Sequence, residues 1–274
     1  MDPADNPSVI DPADGCLHSW NNKAAPGWHT ADDDWGTVGP HRVDLLVDRV
    51  CGREDLELAD VVAAHTEAGD ADLRGAEVLP RVLDLLEGSP APSKRLEQVR
   101  DVLSDWVRTG AYRRDTNADL LYDHPAVGIM DELFEPLIRE MFGPQLGALI
   151  DNVPLRIDAG PRTTSSSFGY GWYGMLTRDL ERVTSGNALD AQLPVACGGG
   201  ALSTCQAVLW SALRTAAYRV EGVQPPWLRE SAWTWVTPTV RNGLITFLPI
   251  VFNPVTMRWS NRPAYQLAAQ FAPG

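Results

Sequence analysis

The densest group of side chains able to support chemistry lies near the start of the chain, between Ser19 and Arg42. It combines two consecutive asparagines, three consecutive aspartates, three tryptophans and an arginine in a stretch with little helical periodicity. An asparagine amide can donate a hydrogen bond to a developing oxyanion, and carboxylates can hold Ca²⁺. Loops held by a rigid scaffold often carry such groups. The alternative is a solvated surface loop, because Asn and Asp also favour turns.

Other patterns typical of catalytic sites are missing from the sequence. Residues 165–167 form a serine triplet in a glycine- and aromatic-rich stretch, but no Gly-x-Ser-x-Gly elbow is present. His29 and His41 flank the aspartates, yet their spacing fits no zinc motif and His-Glu-x-x-His is absent. The other histidines have no partner pattern and are predicted to be structural or surface residues: His18, His65 and His124.

Composition limits the class of protein and of partner. The 274 residues are 44% hydrophobic and carry a formal net charge of -13, which is an ordinary globular composition with an acidic surface. Such a surface repels phosphate backbones and anionic lipids, so neither nucleic acid nor a membrane is a predicted partner. No segment approaches the ~18–20 apolar residues of a membrane span. The first five residues lack the basic start and apolar core of a signal peptide.

The elements that must hold the loop are predicted to be mainly helical, because apolar residues recur at helical spacing. Ser93 is the predicted N-cap of one helix, and Pro80 lies in the first turn of another. Gly143 and Pro144 are predicted to end a third, and glycines 198–200 to form a tight turn before the last. The predicted helices are residues 43–50, 78–86, 94–106, 124–142 and 202–218.

Strands are predicted near both ends of the chain, at residues 17–20, 244–252 and 265–271. No linker-like composition separates two domains, so residues 1–274 are predicted to form a single region. Its predicted parts are a site loop and strand over 1–42, a mainly helical part over 43–240 and C-terminal strands over 241–274.

The loop carries a motif that resembles a known family. Residues 21–28 read Asn-Asn-Lys-Ala-Ala-Pro-Gly-Trp and follow Pro-Ala-Asp-Gly at 12–15 and Trp20. This order resembles the late β-chain segment of the penicillin acylase family, N-terminal nucleophile hydrolases that cleave amide bonds of β-lactams, acyl-homoserine lactones and related N-acyl compounds. Further matching segments are residues 72–74, 79–80, 197–205 and 259–266.

The resemblance implies roles for three residues of this chain. Asn21 matches the oxyanion-hole asparagine of the family, whose side-chain amide stabilises the tetrahedral intermediate. Arg42 matches an arginine that holds that asparagine and the electrostatics of the site in place. Asp32 matches an aspartate that binds Ca²⁺, a cofactor of the complete enzyme whose site is incomplete here.

The resemblance also implies an α+β fold, the C-terminal fragment of the αββα fold of N-terminal nucleophile hydrolases, with its strands in one sheet. The family's nucleophile is the N-terminal serine of the β chain, which uses its own amino group as base. That serine has no counterpart here, so we expect the chain to be inactive alone. Its expected partners are an α chain, the N-terminal half of the β chain and a small N-acyl amide substrate, in a secreted or periplasmic enzyme. The alternative is a non-catalytic remnant that binds or complements a partner chain.

The cysteines are the last feature on which the resemblance bears. It implies a disulfide between Cys197 and Cys205, for which two buried free thiols are the alternative. Cys16 and Cys51 are predicted to be unpaired.

Overall fold

A computed structural model describes most of the helical part of the chain and short pieces near both ends. The described residues are 4, 7–13, 15–20, 22, 41–119, 121–152, 172–185, 194–222, 244–245, 257–258 and 269. They contain helices α1 His41–Val50, α2 Leu58–Asp70, α3 Leu79–Glu87, α4 Lys94–Arg108, α5 Ala126–Leu146, α6 Tyr173–Ser185 and α7 Leu202–Gly222, and strands β1 Leu244–Ile245 and β2 Met257–Arg258.

The predicted helices with local signals are confirmed. The Ser93 side chain accepts a hydrogen bond from the backbone N–H of Leu96 and caps α4, whose buried stripe runs from Leu96 to Trp106. Pro80 lies in the first turn of α3, where its missing N–H costs nothing. Both helices bury apolar faces in a common core with α5, α6 and α7. None of the helices in the described part of the chain is long and apolar enough to cross a bilayer.

Helix α5 does not end at Gly143 and Pro144, as the sequence predicted. It runs on to Leu146 and contains both Pro136 and Pro144. A proline removes one backbone hydrogen bond and crowds the preceding turn, but α5 packs along α7 and buries a long apolar face that offsets this cost. The helix ends only at Gly147, whose φ of 53° lies in the left-handed region that glycine tolerates.

The strand predictions are confirmed only in part. Residues 17–20 do not form a strand, and Leu17 is 72% exposed, so no sheet covers it. The predicted strand 244–252 begins with β1, which pairs antiparallel with β2 so that Leu244 lies opposite Arg258. The rest of that segment lies outside the described residues, as does 265–271 apart from Ala269.

The described part of the chain contains two disulfides. Cys197–Cys205 confirms the pairing implied by the family resemblance. The tight turn between them is confirmed too, because Gly198 has a φ of 58° and a Cβ there would collide with the backbone nitrogen of Cys205. The prediction that Cys16 and Cys51 are unpaired is wrong, since they form the second disulfide. The fold brings their Cα atoms to 5.3 Å across a separation of 35 residues, which no local pattern reveals.

Candidate functional site

The first turn of α1 reaches back to the residue before Asn21. Arg42 is only 5% exposed, and its Nη2 donates a hydrogen bond of 3.2 Å to the carbonyl oxygen of Trp20. Its guanidinium also lies over the Trp20 ring, 5.0 Å from the ring centroid. Trp20 itself is 8% exposed. Arg42 therefore holds both the backbone and the ring of this residue.

The other side of the same residue is held by Asn22. The Asn22 Oδ1 accepts a hydrogen bond of 2.8 Å from the backbone N–H of Trp20. This is the local side-chain-to-backbone bond that asparagine makes in turns. Both backbone groups of Trp20 are thus bonded to side chains, and the residue that follows is Asn21. Asn21 and Asp32 lie outside the described residues, so their roles stay predictions.

Burial sets the electrostatics of this contact. Burial lowers the pKa of the Arg42 guanidinium. Arginine nevertheless stays charged in proteins, so the carbonyl of Trp20 accepts from a cation. On α2, the ring of His65 lies 6.1 Å from the Trp20 ring, so the indole lies near a second polar ring as well as the guanidinium.

A second group of titratable side chains surrounds the start of α1. The Nδ1 of His41 lies 3.7 Å from Glu77 Oε2, and its ring lies 6.0 Å from that of Tyr173. Burial raises the pKa of the Asp44 carboxyl, and the negative charge of Glu77 adds to this effect. Sequence reasoning missed Glu77 and Tyr173, because they are far from the loop in the chain.

A further ion network joins two arginines and two aspartates, of which Arg74, Arg113 and Asp72 are buried and Asp131 is partly exposed. Arg74 Nε donates to Asp72 Oδ1 at 2.8 Å, and its Nη2 donates to Asp131 Oδ1 at 2.6 Å. Arg113 Nη1 contacts the same two carboxylates at 3.2 and 2.8 Å. Asp72 is completely buried. The segment 72–74, which resembles the family, is thus half of a four-residue ion network.

The opposite charges within the network favour the ionised forms of Asp131 and Arg74. Burial opposes the charge of Asp131, but Arg113 and Arg74 outweigh it and hold the pKa of that carboxyl below its usual value. Burial likewise opposes the charge of Arg74, yet Asp72 and Asp131 raise the pKa of its guanidinium. Groups held ionised in this way suit a scaffold that joins α5 to the segment between α2 and α3 and to the segment after α4.

Comparison with known proteins assigns the family. The penicillin amidase family model matches residues 1–262. The chain belongs to the penicillin amidase family. Among solved structures, a thermostable penicillin G acylase from Alcaligenes faecalis is similar, with a TM-score of 0.61 and 18% sequence identity. The match covers 90% of this chain and 42% of the acylase chain, so this chain spans less than half the length of that acylase.

Membership of the penicillin amidase family rests on the match of the family model over residues 1–262. At 18% identity, the structural likeness to the acylase shows the fold alone. The geometry at Trp20 is independent of both comparisons. It places one of the three predicted site residues, Arg42, against the segment that carries another, Asn21.

Proposed function

We propose that this chain supplies the oxyanion-stabilising part of an N-terminal nucleophile amidohydrolase with the αββα fold. Its substrates are N-acyl amides of the β-lactam or N-acyl-homoserine lactone type. The observation that carries the proposal is the contact between Arg42 and the carbonyl of Trp20, directly before Asn21, in a chain of the penicillin amidase family.

In this proposal Asn21 is the catalytic residue. When a nucleophile adds to the acyl carbon, the carbonyl oxygen becomes an oxyanion, and the Asn21 amide donates a hydrogen bond to it. An oxyanion donor is effective only when it is already oriented before the reaction begins. The amide must therefore be fixed by its surroundings.

Arg42 is the positioning residue that supplies this orientation. The carbonyl of Trp20 belongs to the peptide unit that joins Trp20 to Asn21, so the Arg42 bond fixes the plane from which Asn21 extends. The bond from the Trp20 N–H to Asn22 fixes the preceding peptide unit. The positive charge of Arg42 also favours negative charge developing nearby.

The nucleophile in this proposal is an N-terminal serine outside this chain, and the partners are an α chain and the N-terminal half of a β chain. The 42% coverage of the acylase supports this arrangement. Both described disulfides suit a secreted or periplasmic location, since disulfides persist in oxidising compartments.

Asp32 is the proposed contribution of this chain to a Ca²⁺ site of the whole enzyme. Ca²⁺ takes about 6–8 oxygen ligands, which one carboxylate does not supply. In the described part of the chain, the one group of three possible metal ligands offers sulfur and nitrogen rather than oxygen. The described residues therefore do not fit Ca²⁺, and no catalytic step is assigned to it.

The proposal is tested by completing the enzyme. The chain is assayed alone and after co-expression with an α chain and the N-terminal β-chain half, using penicillin G, an acyl-homoserine lactone and a chromogenic anilide. We expect turnover only from the complete assembly. There, Asn21→Ala should lower kcat by about 10²–10³ with a smaller change in KM, because one oxyanion donor acts mainly in the transition state. Asn117→Ala, in an exposed loop, is the matched control and should change neither constant.

Two results would overturn the proposal. Turnover by the chain alone that a serine-directed inhibitor abolishes would place the nucleophile within it. An active assembly in which Asn21→Ala keeps its kcat would remove Asn21 from the site. An assembly that forms but never turns over would favour the non-catalytic, partner-binding alternative.

A further inference from the structure

The Cys16–Cys51 disulfide has a histidine beside it. The Nδ1 of His18 lies 3.6 Å from Cys51 Sγ and 4.0 Å from Cys16 Sγ. The ligand atoms of all three residues lie within 4.8 Å of one another. His18 is exposed, and both cysteines are half-buried at the end of α1. The cluster therefore combines a sulfur pair and an imidazole at a place that solvent can reach.

We propose that reduction of this disulfide creates a Zn²⁺ site formed by the two thiolates of Cys16 and Cys51 and by Nδ1 of His18. A dithiol supplies the two electrons: it is oxidised to its own disulfide, the protein S–S bond breaks, and two protein thiols form. On binding Zn²⁺ each thiol releases a proton to solvent, and neutral His18 provides its Nδ1 lone pair. Sulfur and imidazole nitrogen are the ligands that zinc prefers, and a water completes a tetrahedral shell.

The spacing of the imidazole already suits the metal. Tetrahedral ligands at the usual Zn–N and Zn–S lengths lie about 3.6 Å apart, which is the distance from His18 Nδ1 to Cys51 Sγ. In the reduced site the two sulfur atoms must separate to about 3.8 Å. Side-chain rotation of the cysteines can achieve this, because their Cα atoms are 5.3 Å apart.

The fold holds the ligands in place without the covalent bond. The backbone N–H of Cys51 donates to the carbonyl of Val47 at 3.0 Å, so this cysteine continues the last turn of α1. On the other side, Arg42 and Asn22 hold Trp20, two residues after His18. Zinc would therefore replace the disulfide as the link between this segment and α1. The inference does not depend on the proposed amidohydrolase function.

The test uses the full chain carrying Cys197→Ser and Cys205→Ser, so that Cys16 and Cys51 are the remaining cysteines. The protein is reduced anaerobically with a phosphine and titrated with Co²⁺, whose thiolate charge-transfer absorption reports sulfur ligands. Zn²⁺ affinity is then measured by competition with a chromogenic chelator. We expect one equivalent to bind and Zn²⁺ to displace Co²⁺. His18→Ala should weaken binding by more than about 100-fold, since loss of a hydrogen-bond partner of a ligand alone costs 10–100-fold. His124→Ala is the matched control and should leave affinity unchanged.

The outcomes decide whether His18 is a zinc ligand or only lies next to the disulfide. Absence of the charge-transfer band, or equal affinity in the His18→Ala and His124→Ala variants, would overturn the inference. If reduction unfolds the chain, recovery of the helical circular dichroism on adding Zn²⁺ supports it, and failure to recover overturns it. If the double variant does not fold, His18→Ala and His124→Ala are compared in the fully reduced chain with all four cysteines, where any binding by Cys197 and Cys205 is common to both variants.

Discussion

The buried network offers the sharpest prediction about what holds the fold together. Asp72 is completely buried and accepts hydrogen bonds from the backbone N–H and Nε of Arg74 and from Nη1 of Arg113. Asp72→Asn keeps the shape of the side chain but removes its charge. It also places an NH₂ donor next to guanidinium groups, which contain only hydrogen-bond donors and cannot accept from it.

The magnitude follows from the burial of the arginines. Arg74 and Arg113 are 4% and 3% exposed, and after the substitution Asp131 is the carboxylate of the network left to balance them. Removing one partner of a buried ion pair costs about 3–5 kcal/mol. At about 2–4 °C per kcal/mol for a chain of this size, the melting midpoint should fall by about 6–20 °C.

The assay is urea unfolding followed by circular dichroism, supported by a thermal melt. Asp84→Asn, an exposed acid on α3, is the matched control and should change the free energy of unfolding by no more than about 0.5 kcal/mol. A loss below about 1 kcal/mol for Asp72→Asn, with an unchanged m-value, would refute the reasoning. If that variant does not fold, Asp131→Asn provides the measurement. The Asp131 side chain is 36% exposed, so this substitution should lower the free energy of unfolding by less than Asp72→Asn.

Two further predictions concern pH and metal. The pKa of Asp131 is lowered in the folded state, so its stabilisation is complete above the unfolded-state pKa of about 3.9 and is lost as pH falls through the folded-state value. The melting midpoint of the wild type should therefore fall more steeply below about pH 4 than that of Asp131→Asn, and parallel curves would contradict this. In titration calorimetry the isolated chain should bind Ca²⁺ weakly or not at all, because Asp32 alone cannot fill its coordination shell. Sub-micromolar binding would mean that the aspartates at 32–34 form a complete site.

The sequence predicted those helices whose signals are local. A capping serine followed by a buried stripe identified α4, and a proline in the first turn identified α3. Helix α2 was missed because it buries the small residues Ala64, Ala68 and Gly69, together with Asp70 at its end. Val61 and Val62, two of its large apolar residues, are exposed. A helix that buries small residues and exposes large ones shows no apolar stripe. Hydrophobic periodicity therefore does not predict a helix whose buried face is determined by close packing of small residues.

In the candidate site, only the residues that belong to the family motif could be predicted from the sequence. The family resemblance singled out Arg42 and implied that it holds Asn21, but it gave no contact with Trp20. Periodicity placed a helix after it without indicating that its guanidinium would meet the carbonyl of Trp20. The ion network and the Cys16–Cys51 disulfide join residues far apart in the chain, so neither left a local pattern. Long-range pairings of this kind come from the packing of whole elements.

Two attachments explain how the segment before Asn21 is positioned. Cys16 is bonded to Cys51 just beyond the end of α1, and Trp20 is bonded to Arg42 in its first turn. From residue 42 to residue 51 a helix rises about 13–14 Å, so the two attachments lie near opposite ends of α1. Because Cys16 is attached near the end of α1 and Trp20 near its start, the chain between them runs in the direction opposite to α1. The alternating sequence predicted a strand over residues 17–20, but these residues form none and Leu17 is exposed. Both ends of the segment that precedes Asn21 in the sequence are therefore attached to one helix, by a disulfide at Cys16 and by the Arg42 contacts at Trp20.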